Sequence, residues 1–133
     1  MQSSVSASSV TPLGAGTWDT ILDQNVTATS SGGRTSIAYS GGGDIRICAS
    51  GVNVANSVDF YVYSDNGSGD SVDDYVPPKR NIINAQSSSS TLVCFPKIDA
   101  RPYVDGSNNK AEFYVKVYSR NDSSDTVRVI IQD

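Results

Sequence analysis

The chain has 133 residues, ten Lys and Arg against fourteen Asp and Glu, no histidine, and a formal charge of −4. That length suits one domain burying roughly two-thirds of its surface; the acidic balance argues against a nucleic-acid partner, and no apolar run approaches the ~20 residues of a membrane helix. Without histidine, Ser-His-Asp and Cys-His catalysis and histidine-based zinc sites are excluded.

Residues 1–16, MQSSVSASSVTPLGAG, carry neither a basic n-region nor an apolar h-region, so no signal peptide is expected and the chain is expected to be made in the cytoplasm. Their serines, Pro12 and glycines offer little to bury, which predicts a flexible or extended arm that orders against a partner. Gly14-Ala15-Gly16 lacks the third glycine of a dinucleotide fingerprint. Residues 17–133 are then a single domain. Of its acids, only Glu112 is glutamate, and a surplus of Asp over Glu points away from helix.

Period-two alternation recurs along that domain, and helical periodicity does not. Residues 17–28 read as a strand through Trp18, Leu22 and Val26, irregular near Ile21-Leu22; Trp18 either anchors the arm or, the plainer reading, plugs the end of the core. Residues 34–40 place Ile37 and Tyr39 on one face. Gly41-Gly42-Gly43 supplies a turn tolerant of positive φ, and from Asp44 a strand sets Ile45, Ile47 and Ala49 against Arg46 and Cys48. In residues 57–64, Val58, Phe60 and Val62 alternate with Asp59, Tyr61 and Tyr63. Residues 80–85 form a weaker strand after Pro77-Pro78, and residues 91–98 one that carries Leu92, Val93, Cys94 and Phe95. In residues 111–119, Ala111, Phe113, Val115 and Val117 point inward and Glu112, Tyr114, Lys116 and Tyr118 outward; residues 125–132 align Val127, Val129 and Ile131. About eight strands at this spacing predict an all-β fold, an antiparallel sandwich of jelly-roll or immunoglobulin-like Greek-key type. An internal echo, Asp59-Phe60-Tyr61-Val62 and Glu112-Phe113-Tyr114-Val115, each after a cysteine strand, suggests two similar halves.

Chemistry has few places to reside. The run from Asp65 to Asp74, with Asp65, Asp70, Asp73 and Asp74 among glycines, is where a hard cation such as Ca2+ would be sought, although positions three and five break the EF-hand pattern and a solvated acidic loop is the plainer reading. Cys48 and Cys94 admit two readings, a disulfide closing a long loop or two buried thiols. No pair of carboxylates is singled out for glycoside hydrolysis, so no enzyme is expected. Tyr61, Tyr63, Tyr114 and Tyr118, with Lys116, should share an outward surface suited to an interface or to stacking on a ligand; ordinary cross-strand pairing on a wet sheet face is the bland alternative.

In size, arm and strand pattern the chain resembles the small β-sandwich decoration or cement proteins of tailed bacteriophages. That resemblance implies a structural protein on the virion surface that reinforces a capsid at subunit junctions, usually as a homotrimer, with protein subunits as its partners. The alternative is a carbohydrate-binding or lectin-like domain, its outward tyrosines stacking on a glycan and Asp and Asn in its loops, the Asp65–Asp74 run among them, binding the hydroxyls.

Overall fold

The computed structural model describes residues 18–52, 57–66, 73–76, 81–83, 92–105, 109–120 and 124–133; the expected arm and Asp70 lie outside them. The described residues form twelve strands, one 3-10 turn (Arg101–Tyr103) and no α-helix. In chain order the strands are β1 (Thr20–Ala28), β2 (Gly33–Arg34), β3 (Ala38–Ser40), β4 (Asp44–Ser50), β5 (Val58–Ser64), β6 (Asp74–Tyr75), β7 (Asn81–Ile83), β8 (Val93–Cys94), β9 (Ile98–Asp99), β10 (Val104–Asp105), β11 (Lys110–Ser119) and β12 (Asp125–Gln132).

They make an all-β sandwich of two antiparallel sheets. In the first, β12 lies between β1 and β4, and β8 and β9 both run along the far side of β4. In the second, β11 and β5 are the central pair. β2 and β3 line the other side of β11, and β6 and β7 line the other side of β5. Ala111 pairs with Ser40 on one side and Val104 on the other, so β10 extends the β5 side of β11.

Counting interrupted strands once recovers the eight segments the alternation predicts, plus β6 and β10. The interruptions have local causes. Between β2 and β3, Thr35 gives its N–H to the Val115 carbonyl while its hydroxyl accepts from the Val115 N–H and donates to the Ser36 carbonyl, so a side chain replaces one backbone rung. Between β8 and β9 stands Pro96, which has no N–H for a ladder. In β1 the register slips between Thr20 and Leu22; the extra residue lets both Ile21 and Leu22 pack on the core, which is the irregularity expected there.

The core lies between the sheets. Ile45, Ile47 and Ala49 face Val58, Phe60 and Val62, with Phe113, Val115, Val117, Val127, Val129 and Ile131 completing it, all essentially excluded from solvent. Trp18 is not in that core: it is half-buried, with the Arg46 guanidinium carbon 4.6 Å from its ring centre. The Gly41–Gly43 turn (Gly42 φ +103°) does not close a hairpin but carries the chain from β3 in one sheet to β4 in the other. The two echoing segments sit side by side, β5 against β11 with Val62 opposite Val115, and the cysteine strands that precede them are likewise neighbours, Cys48 opposite Cys94. The cysteines are bridged, S–S 2.01 Å, on the outer side of the first sheet; the free-thiol reading is set aside.

Candidate functional site

Register decides what the second sheet presents outward. Tyr63 stands opposite Tyr114 on one side and Tyr75 on the other, Tyr61 opposite Lys116, Tyr118 opposite Asp59, and Tyr39 opposite Glu112. Because β5 and β11 commit their phenylalanines and valines to the core, their tyrosines must emerge on the far face.

The rings meet in a continuous strip. Tyr114, Tyr63 and Tyr75 stack nearly parallel, with centroids 5.4 and 5.2 Å apart and interplanar angles of 10° and 14°. Tyr61 leans on Tyr75 at 5.9 Å and meets Tyr118 edge-on at 5.5 Å. Tyr61, Tyr63 and Tyr118, all half-buried, line an open, shallow pocket of about 240 Å³. Offset stacks and edge-on pairs are the arrangements the ring quadrupole favours, each adding roughly 0.5–1.5 kcal/mol beyond area burial.

Four of the five predicted surface residues, Tyr61, Tyr63, Lys116 and Tyr118, keep partial exposure on this face. Tyr114 is the correction. It lies on the outer face as alternation requires, yet its exposure is 0%. The Arg34 guanidinium, from β2, covers one side of its ring at 3.7 Å, and Tyr63 covers the other. The phenol donates to Asp73 Oδ2 at 2.5 Å, a short, charge-assisted bond. Tyr114 is the buried footing of the strip and not part of its exposed surface.

That bond also bears on the acidic run. Asp73 Oδ1 accepts the Asn66 N–H at 2.8 Å, so both carboxylate oxygens tie the ends of residues 66–73 to one another and to the tyrosine face. Asp65 gives its N–H to the Glu112 carbonyl, and Asp74 is exposed at the start of β6. Among the described residues no three acids or cysteines converge as a metal site.

Three contributors were not singled out from the sequence. Tyr75 (39% exposed) lies in a two-residue strand inside what reads as a loop; Tyr39 (50% exposed) flanks the strip from β3; and Gly32 makes room for it. A β-carbon on Gly32, whose φ is +98°, would lie 2.5 Å from Tyr118 Cε2. Lys116 Nζ sits 5.0 Å from the centre of the Tyr63 ring, and Arg120 closes the border through an ion pair with Asp59 at 3.1 Å. Carboxylates and cations here engage each other and the rings; what faces outward is ring edges, the exposed part of Tyr75, and the shallow pocket.

Residues 20–130 match the YndA coiled coil domain family. The uncharacterized protein YndA of Bacillus subtilis (strain 168) is 39% identical over 106 residues, which span 80% of this chain and 69% of that protein. The coiled coil of the family's description has no counterpart among the described residues, where the matched stretch is strand after strand.

Proposed function

The chain belongs to the YndA family, and we propose that it is a non-enzymatic interaction protein whose tyrosine face packs against protein subunits of a larger assembly. The observation that carries this reading is the near-parallel stack of Tyr114, Tyr63 and Tyr75. A platform for a sugar offers an open ring face, whereas in this strip Tyr63 is enclosed by a ring on either side. Ring edges and hydroxyls of pre-packed tyrosines, already held in place, suit the centre of a protein interface, where aromatic anchors lose little entropy on binding. A stable contact of this kind buries about 800 Å² per partner. Reinforcement of a capsid lattice at its subunit junctions, on a virion surface and as a homotrimer, is the form of the proposal that the resemblance in size and strand pattern implies.

One feature favours a second reading. The pocket between Tyr61, Tyr63 and Tyr118 has the dimensions of a single sugar ring, and a lectin-like role would place a glycan there.

A photo-crosslinking side chain in place of Tyr75 tests the proposal, with the same group at Arg128 on the other sheet as control. In the native assembly, a discrete protein adduct from position 75 and none from position 128 is expected. Saturable retention on a polysaccharide gel, abolished by Tyr61→Ala, would overturn it in favour of the glycan reading. A concentration-independent trimer by light scattering, without glycan retention, supports the subunit contact.

A further inference from the structure

Residues 92–105 run as a strap from one sheet to the other. β8 and β9 lie along β4, Ala100 gives its N–H to the Gly43 carbonyl at 2.9 Å, the 3-10 turn follows, and β10 reaches β11. Each of these pairings spans two residues. The ladders that build the sheets are far longer: β1 pairs with β12 from Thr20 to Ala28, and β5 pairs with β11 along its whole length. The strap gives the buried core only Ile98 and Ala100, while Val93, Phe95, Tyr103 and Val104 pack at its margin. Phe95 rests against Phe60 at 5.4 Å and Tyr103 meets Phe113 edge-on at 5.7 Å. Short pairings with partly exposed packing are where local opening is least costly.

The one covalent tie on this strap is the Cys48–Cys94 bridge, and its ends differ. Cys48, on β4, is fully buried, whereas Cys94, on the strap, is exposed. We infer that this bridge is a thiol-addressable latch: a dithiol reductant reaches it through Cys94 and frees the strap, while the β1–β12–β4 and β11–β5 ladders stay folded. The inference is independent of the tyrosine face, since the bridge lies on the outer side of the opposite sheet.

The chemistry is thiol–disulfide exchange. A thiolate of the reductant attacks Sγ of Cys94 and forms a new S–S bond as the Cys48–Cys94 bond breaks. The electron pair leaves on the Cys48 sulfur, which takes up a proton. The reductant's second thiol, deprotonated, then attacks its own sulfur in the mixed disulfide and releases Cys94, which is protonated in turn. Cys48 and Cys94 gain two electrons and two protons, and the dithiol is oxidised to its disulfide.

Two measurements on the intact protein test this. With glutathione, a monothiol that stops at the first step, followed by alkylation and peptide mapping, the adduct is expected on Cys94 and the alkyl label on Cys48; an adduct on Cys48 would overturn the direction of attack. With dithiothreitol, hydrogen exchange at the amides of Phe95, Ala100 and Tyr103 should accelerate roughly tenfold or more, while those of β11 and β12 keep their protection. Cys48→Ala/Cys94→Ala should reproduce that pattern without reductant. Loss of protection everywhere on reduction, or failure of the double variant to fold, would make the bridge a staple of the whole domain and sink the latch. Unchanged exchange in a fully alkylated, reduced protein would sink it as well.

Discussion

On the β1–β12–β4 sheet the outward positions carry Asp23, Arg128, Arg46 and Gln132 around a buried pair, Cys48 and Ile130; on the β11–β5–β6 sheet they carry Tyr61, Tyr63, Tyr75, Tyr114 and Tyr118. The first set is satisfied pairwise. Arg128 donates through Nε and Nη2 to the two oxygens of Asp23 at 2.9 and 2.6 Å, Arg46 Nε donates to Gln132 at 2.8 Å, and Gln132 reaches the Thr20 hydroxyl at 3.2 Å. The Arg128–Asp23 pair is exposed, and exposed pairs are worth little. The second set is a continuous solid: each ring braces the next, and one member, Tyr114, is as buried as the core behind it. The same two-residue alternation thus yields a largely polar face and an aromatic one, and the aromatic face holds a shape that a partner could read.

The largest expected effect follows from that footing. Tyr114→Ala removes a fully buried ring, on which Tyr63 stacks and Arg34 rests, and should cost about 3–5 kcal/mol in urea unfolding, as truncation of buried aromatics does. Arg128→Ala on the other face, where the guanidinium is exposed, should leave the urea midpoint nearly unchanged. Equal costs would erase the distinction between the faces.

Gly32→Val comes next. It combines a positive φ with a β-carbon 2.5 Å from the Tyr118 ring, so the backbone is strained and the ring must move. A loss of about 2–3 kcal/mol is expected, with a changed near-ultraviolet circular dichroism signal from the displaced tyrosine. A signal like the wild type's would mean that Tyr118 is not held by this contact.

Asp73→Asn should be milder. It removes the charge and leaves one acceptor oxygen for two donors, the Tyr114 phenol and the Asn66 N–H, and a cost of about 1–2 kcal/mol is expected. In Tyr114→Phe the same change should cost less, the remainder being the Asn66 N–H contact, and the difference in that double-mutant cycle isolates the phenol bond.

Parts of this molecule were legible in advance and parts were not, for identifiable reasons. The inward set of β11 and the outward emergence of Tyr61, Tyr63 and Tyr118 follow from period two alone, which needs no knowledge of neighbours. The burial of Tyr114 depends on Arg34, eighty residues earlier in the chain, and on Asp73 in a run that reads as loop; nothing local to β11 announces either. Tyr75 was hidden in the same way, because a two-residue strand has no period to detect. The bridge stayed undecided because pairing Cys48 with Cys94 requires the β4–β8 register, which composition does not contain.

The smallest effect concerns the ion pairs, and acid is the condition that exposes it. The hydrogen bond from Arg128, ahead of its charge, holds the Asp23 carboxyl below the usual carboxylate range, and Arg101 holds Asp99 down to about 2. A carboxyl whose folded pKa is depressed binds its proton more readily in the unfolded chain, so its contribution is present above the ordinary value of 3.8 and is lost as pH falls through the folded one. Both groups are exposed or nearly so, which limits what they contribute. Asp23→Asn should therefore change stability at pH 7 by no more than about 0.5 kcal/mol and make the stability curve less steep below 3.8, with the remaining acid limb extending toward pH 2 through Asp99. Chemical denaturation at pH 7, 4 and 2.5 measures this directly. An Asp23→Asn curve parallel to the wild type's across that range would mean that the Arg128 pair does not persist in solution, and the polar face would then be looser still than its geometry suggests.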